Sequence, residues 1–183
     1  FSIYQFPDAK NLNQFIKLGV MLQNITGEFA SGKTSFINTA GHAEYRNRTR
    51  NQRWDIAANG KLYFTGLNAG DYEAHISLQS FAGKKLGYIT LGFENASRTP
   101  SFIFDSRSSF YLLSASRNFK KENNTHFFAS YYLPSFKFRL SGNYFLLTNY
   151  TYLTDYFDLR QESTLFNVLR ITAEKTIRLG KRW

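Results

Sequence analysis

The sequence predicts an all-β fold: an antiparallel transmembrane β-barrel, or a contiguous eight-strand part of a larger one. Three observations carry this. Apolar and polar side chains alternate with a period of two along most of the chain, the alternating segments run to about ten residues or more, and no segment approaches the ~18 consecutive apolar residues of a membrane helix.

The segments follow in order. After Phe15, the positions Ile16, Leu18, Val20 and Leu22 are apolar, with Lys17, Gly19 and Gln23 between them. The next places Ile37, Gly41, Ala43 and Tyr45 opposite Asn38, His42, Glu44 and Arg46. Trp54, Ile56, Ala58, Leu62 and Phe64 then oppose Asp55, Asn59, Lys61 and Thr65, and Tyr72, Ala74, Ile76 and Leu78 oppose Glu73, His75, Ser77 and Gln79. Ile89, Leu91 and Phe93 alternate with Thr90 and Glu94. After a stretch rich in Ser, Arg and Pro, Phe127, Ala129, Tyr131 and Leu133 face away from Asn124, His126 and Ser130, with Phe128 out of pattern. Phe136, Phe138, Leu140, Tyr144 and Leu146 oppose Lys137, Arg139, Ser141 and Asn143, and Leu169, Ile171, Ala173 and Ile177 oppose Arg170, Thr172, Glu174, Thr176 and Arg178. Eight such strands exceed the usual length of about five or six residues in soluble sheets.

The links between them are uneven. Short ones are expected at 50–53, 82–85, 134–135 and 180–182, and long polar ones at 28–35, 98–117 and 150–163. If consecutive strands are antiparallel, the long links share one end of the sheet and the short ones the other, with 67–70 the exception, as in outer-membrane barrels. No linker or compositional break divides residues 1–183, so a single domain is expected.

Alternation alone does not decide which face meets water, since a soluble sandwich also alternates. Strand length and aromatic placement favour a membrane. Trp54 and Phe64 lie on the apolar face ten residues apart, which at ~3.3 Å per residue and ~40° tilt is roughly 25 Å along the membrane normal, the height of a lipid-facing band. Trp54, Phe64, Tyr72, Phe93, Phe138 and Tyr144 are therefore the expected lipid-facing aromatics. The opposite phase would line a lumen, with Lys17, Glu44, Arg46, Asp55, Lys61, Glu73, His75, Glu94, Lys137, Arg139, Arg170 and Glu174 as its titratable members. Their signs nearly balance, so they are expected chiefly to pair with one another, and no single-sign ring suggests strong ion selectivity.

The net charge of +10 lies largely in the links, at residues such as Lys33, Arg53, Lys84, Lys85, Lys120 and Lys121, where lipid phosphates are the expected partners. Phe, Tyr and Trp make up 18% of the chain, yet mean hydropathy is only −0.39. The absence of cysteine excludes disulfides and thiolate chemistry.

Gly27, Gly32, Lys33 and Thr34 complete a G-x-x-x-x-G-K-[ST] pattern. A phosphate loop must pass from a buried strand into a helix, and residues 35–45 carry no helical stripe, so a hairpin is the expectation and no nucleotide is expected. His42, His75 and His126 share the polar phase on alternate strands and are not expected to converge on a metal. No serine lies in G-x-S-x-G, so no enzymatic site is expected. The basic and aromatic stretch 45–54 is read as a turn at a membrane surface, not as a nucleic-acid site. No cofactor is expected.

Several stretches resemble the putative porins of Bacteroidota outer membranes: Trp54-Asp55-Ile56-Ala57-Ala58-Asn59-Gly60-Lys61-Leu62-Tyr63 leading to Asn68-Ala69-Gly70-Asp71-Tyr72-Glu73-Ala74, then Asn95-Ala96-Ser97-Arg98-Thr99-Pro100-Ser101-Phe102, Phe119-Lys120-Lys121-Glu122-Asn123, and Tyr144-Phe145-Leu146-Leu147-Thr148-Asn149-Tyr150-Thr151-Tyr152. The resemblance implies a barrel family, not a reaction. Chains of that family are several times longer and begin with a signal peptide, so an internal slice of the barrel is expected. The combined expectation is a bacterial outer-membrane barrel passing small polar solutes by diffusion, in contact with outer-membrane lipid and lipopolysaccharide. The alternative is a non-conducting structural or accessory barrel among the subunits of an outer-membrane complex. A closed barrel of only eight strands would be filled by its own side chains.

Overall fold

In a computed structural model of the chain, residues 1–7, 11–29, 32–49, 51, 53–104, 119–154, 158–177 and 180 are described. The alternating segments become β1 (Ser2–Gln5), β2 (Gln14–Phe29), β3 (Gly32–Arg48), β4 (Trp54–Thr65), β5 (Tyr72–Gly83), β6 (Gly87–Arg98), β7 (Glu122–Leu133), β8 (Phe138–Thr148), β9 (Tyr150–Thr154), β10 (Asp158–Glu162) and β11 (Phe166–Lys175). One short 3₁₀ turn, Phe102–Phe104, follows β6. Nine strands form an antiparallel sheet in the order β1-β2-β3-β4-β5-β6-β7-β8-β11, and β9 and β10 form a separate ribbon. The sheet is open, with β1 and β11 as its edges.

The eight expected strands correspond to β2 through β8 and β11. Three connections differ from expectation. Residues 28–35 are not a long link: Glu28 opposes Lys33 and Phe29 opposes Gly32, so the pairing of β2 with β3 continues almost to the hairpin tip. Ile25, Thr26, Phe36 and Ile37 supply β-forming residues on both sides, which outweighs the glycines. The 150–163 link contains the ribbon β9–β10. The 134–135 turn extends to Lys137, whose amide donates to the Pro134 carbonyl at 3.1 Å. Lys137 has φ 47°, so it belongs to the turn and not to the wall, because β8 begins only at Phe138. Residues 105–118 and 181–183 lie outside the described residues, as do Arg50 and Arg178.

Residues paired across neighbouring strands share a face, so the register assigns the faces. One row reads Gln14–Asn47–Ile56–Leu78–Leu91–Ala129–Gly142–Ile171. On the same face, toward the other end, a second row reads Leu18–Ala43–Gly60–Ala74–Asn95–Thr125–Leu146–Asn167. The first is polar in β2 and β3 and apolar from β4 onward; the second is apolar through β5 and polar in β6, β7 and β11. The apolar band therefore crosses the sheet obliquely, slipping roughly six residues over the six steps from β2 to β8. A slip of ~1 residue per strand, with ~3.3 Å rise and ~4.8 Å strand spacing, corresponds to a tilt of about 35°, within the range of barrels.

Among the described residues, none packs over the apolar face as a second layer. Leu22, Ile37, Leu91 and Ile171 are 74%, 63%, 53% and 69% exposed. Among the described residues, the only buried hydrophobic side chains are Ala40 and Leu159. A soluble sandwich would show the reverse.

Candidate functional site

The polar face carries a chain of charge pairs fixed by register. Lys17 lies directly opposite Glu44, with Nζ 3.7 Å from its carboxylate. Asp55 receives a fork from Arg46, Nη2 at 2.9 Å and Nε at 3.3 Å. Glu73 accepts from Arg98 Nη2 at 3.1 Å. Lys61, opposite Glu73, instead stands 4.5 Å over the ring of Tyr63. At the end with short turns, Phe81, Tyr88, Tyr132, Arg139 and Glu174 form one cross-strand row, and the Arg139 guanidinium lies 5.3 Å from the Tyr132 ring.

Glu94 occupies the middle of this face. It is paired by register with His75 of β5 on one side and His126 of β7 on the other. His75 Nδ1 is 2.8 Å from Oε1 and His126 Nδ1 is 3.0 Å from Oε2, so each carboxylate oxygen holds one imidazole. The rings are braced by aromatic contacts. His126 stacks on Phe145 with centroids 4.1 Å apart and planes at 6°, and His75 stacks on Phe128 at 5.8 Å. Phe128 reaches His75 across the intervening β6 because its paired residue there is Gly92; a Cβ at Gly92 would come within 2.1 Å of the Phe128 ring. Glycine is required there by the ring, which takes the space of a side chain.

Two recesses open beside Glu94, of about 360 Å³ and 280 Å³, and they share Glu94, Ala96 and Arg98. The small side chain of Ala96, between Glu73 and Asn124 in register, leaves this space. Two of the three histidines thus meet on one carboxylate; His42 does not join them and sits 3.3 Å from Ser2 Oγ. Among the described residues no group of three or more His, Cys, Asp or Glu side chains is arranged to hold a metal.

A second cluster, not expected from the sequence, closes the end with long links. Asp71 is 4% exposed. It receives Thr99 N and Thr99 Oγ1 at 2.8 Å each, Asn68 Nδ2 at 2.9 Å, and the Lys121 ammonium. Asn38, fully buried, donates to Asn68 Oδ1 at 2.8 Å. The turn from β4 brings Asn68 under Asn38 through Gly66, which has φ 89° and no room for a Cβ beside Asn38. Burial pushes the Asp71 carboxyl upward, but the bonds from Lys121, Asn68 and Thr99 outweigh it and hold the group below its ordinary range.

The Gly27–Thr34 pattern lies in the β2–β3 hairpin, with Gly27 opposite Thr34, and no helix follows it. A phosphate loop needs that helix.

The geometry combines an exposed oblique apolar band on one face of the sheet with a charge-paired polar face on the other. The putative porin family model matches residues 4–183. The chain belongs to that family. No curated protein and no solved structure matches it. Membership of a porin family supports an outer-membrane, porin-like role and points to transport or structure instead of catalysis. Of the wall residues named from the sequence, Lys17, Glu44, Arg46, Asp55, Lys61, Glu73, His75, Glu94, Arg139, Arg170 and Glu174 share the polar face by register. Trp54, Tyr72, Phe93, Phe138 and Tyr144 share the opposite one. Phe64, beyond the irregularity that shifts the β3–β4 register, lies against Gly41 on that same face, 3.1 Å from where its Cβ would be.

Proposed function

We propose that this chain forms the wall of an outer-membrane pore, with its apolar band against lipid tails and its polar face toward water, through which small polar solutes pass by diffusion. The exposed apolar band carries the reading. Large contiguous apolar surface marks a membrane or protein interface, and its obliquity of about 35° is what tilted strands need to keep the band level in a bilayer. On β4 the band runs from Trp54 to Phe64, and on β8 from Phe138 to Leu146. Eight to ten residues at that tilt span roughly 22–27 Å, which matches the hydrocarbon core of an outer membrane. In hydrocarbon the free edges of β1 and β11 need hydrogen-bonded partners, so the functional sheet is a closed one.

The polar wall filters by size and charge. Glu44, Asp55, Glu73 and Glu94 all have cationic or imidazole partners, so the resting field is weak and polar solutes of either sign can approach. Lipopolysaccharide and outer-membrane lipid are the partners of the band and of the basic links. The test is conductance of the full-length protein in planar bilayers. Discrete channels are expected; a correctly inserted barrel that passes no current would replace this reading with a structural role in an outer-membrane complex.

A further inference from the structure

We propose that the His75–Glu94–His126 cluster is a proton-operated charge site that sets which sign of small ion the wall favours, attracting cations when its imidazoles are neutral and anions when they are protonated. The inference rests on the pore reading above and deepens it. Its basis is geometric: one carboxylate, half exposed at 46% and open to two recesses, holds an imidazole on each oxygen.

With both rings neutral, each commits its single N–H, on Nδ1, to Glu94, and the cluster carries one negative charge. With both protonated it carries one positive charge. Imidazole makes this change between about pH 5 and 8. The rings do not need to move for it. His126 Nε2 lies 3.0 Å from Asn143 Oδ1, an arrangement in which a protonated ring donates from both nitrogens, to Glu94 and to Asn143. A neutral ring is served by rotation of the Asn143 amide, which then offers its NH₂ to Nε2. Stacking on Phe145 holds the ring plane in either state.

The surrounding fixed charges leave the change visible. On β5 and β6, Glu73 and Arg98 neutralise each other. Lys61 of β4 stands over Tyr63. Glu122 of β7 accepts from the Thr151 amide at 2.9 Å, at the end with long links. From the β8 side Asn143 is neutral, and Arg170 of β11 lies opposite it. A swing of two charges in the cluster is therefore the largest pH-dependent term on this face near neutral pH.

The test measures reversal potential in a KCl gradient for the full-length protein in planar bilayers, at low salt so that screening does not hide the site. Lowering pH from 8 to 5 is expected to shift the reversal potential toward the chloride value. The double variant His75→Asn with His126→Asn is expected to conduct with that shift lost, and Glu94→Gln to lie nearer the chloride value at both pH values. A wild-type reversal potential that ignores pH, or a double variant that keeps the shift, overturns the proposal. Nitrogen NMR of the two imidazoles in detergent micelles separates this failure from failure of the pore reading. Rings that carry Nδ1–H at pH 8 and gain a second proton by pH 5, in a protein that passes no current, overturn the pore reading and the selectivity role but uphold the charge switch. Rings that stay neutral throughout overturn the switch itself.

Discussion

Glu94, within β6, and Asp71, just before β5, are both carboxylates held by side chains from other segments, yet they differ in what holds them. Asp71 is enclosed by a lysine, two hydroxyl or amide donors and a backbone N–H, none of which changes charge near neutral pH. Glu94 stands half open to water and is held by two imidazoles, the groups on which the proposed switch rests. The first arrangement locks the feet of the long link to the β4–β5 turn, since Thr99 precedes that link and Lys121 follows it. The second leaves a charge that solutes can reach. Enclosure makes Asp71 a fastener, whereas under the proposed switch exposure between two imidazoles makes Glu94 a sensor.

The largest effect expected from this contrast is at Asp71. Asp71→Ala removes the carboxylate that Lys121, Asn68 and Thr99 all bond and should lower unfolding stability by about 2–3 kcal/mol, the range for a charged hydrogen-bonded group. Glu94→Gln, at a half-exposed site, should change it by no more than about 1 kcal/mol. Urea unfolding of detergent-solubilised protein, followed by tryptophan fluorescence, reads both; equal losses would erase the distinction. The pH dependence sharpens it. Because the folded Asp71 carboxyl titrates below its ordinary value of 3.8, its contribution is fully present above that value and is lost as pH falls through the lower folded one. Stability assigned to Asp71 should therefore be flat from pH 8 to about 5. A variant lacking Asp71 should show a shallower loss below pH 4 than the parent.

Gly92 gives the next largest effect. Gly92→Ala places a methyl group where Phe128 lies and should cost about 1–3 kcal/mol by overpacking. More usefully, it should displace Phe128 from His75 and broaden the His75 imidazole resonance while leaving the Asp71 cluster intact. If His75 keeps its Nδ1–H bond to Glu94 in that variant, the aromatic brace is not what orders the ring.

Much of this architecture was legible in the residues, and the limits have physical causes. Side-chain direction within a strand follows from local alternation, which is why Lys17 and Leu18, or Lys61 and Leu62, could be assigned to opposite faces. Pairing between strands depends on the links. His75 and Glu94 are joined through the short 84–86 turn, so their opposition follows once that turn is placed. Glu94 and His126 are separated by the long 100–120 link, and so are Asp71 and Lys121; nothing local specifies how far β7 slides along β6. The 28–35 segment was misread for a related reason. Gly27, Gly32 and Lys33 suggest a loop by composition, but Ile25, Thr26, Phe36 and Ile37 extend the ladder past them. Lys137 alternates correctly with its neighbours and still leaves the wall, because Pro134 begins a turn that ends only at Phe138.

The smallest expected effect tests whether exposure alone, without titratable partners, is enough to make a carboxylate of this face dispensable. Glu44 meets Lys17 at 3.7 Å with 42% of its side chain exposed, while Asp55 is 18% exposed and held by the Arg46 fork. A single long contact between partly hydrated groups gains little Coulomb energy and immobilises two flexible chains, so Glu44→Gln should change stability by about 0.5 kcal/mol or less. Asp55→Asn breaks a two-point contact and should cost roughly 1–2 kcal/mol. Neither substitution touches Glu94, so neither should alter the pH dependence of ion selectivity. A Glu44→Gln variant that did alter it would mean that the field at Glu94 is set by the whole row Glu44–Asn59–His75–Glu94–His126, and the sensor would then be the row and not the cluster.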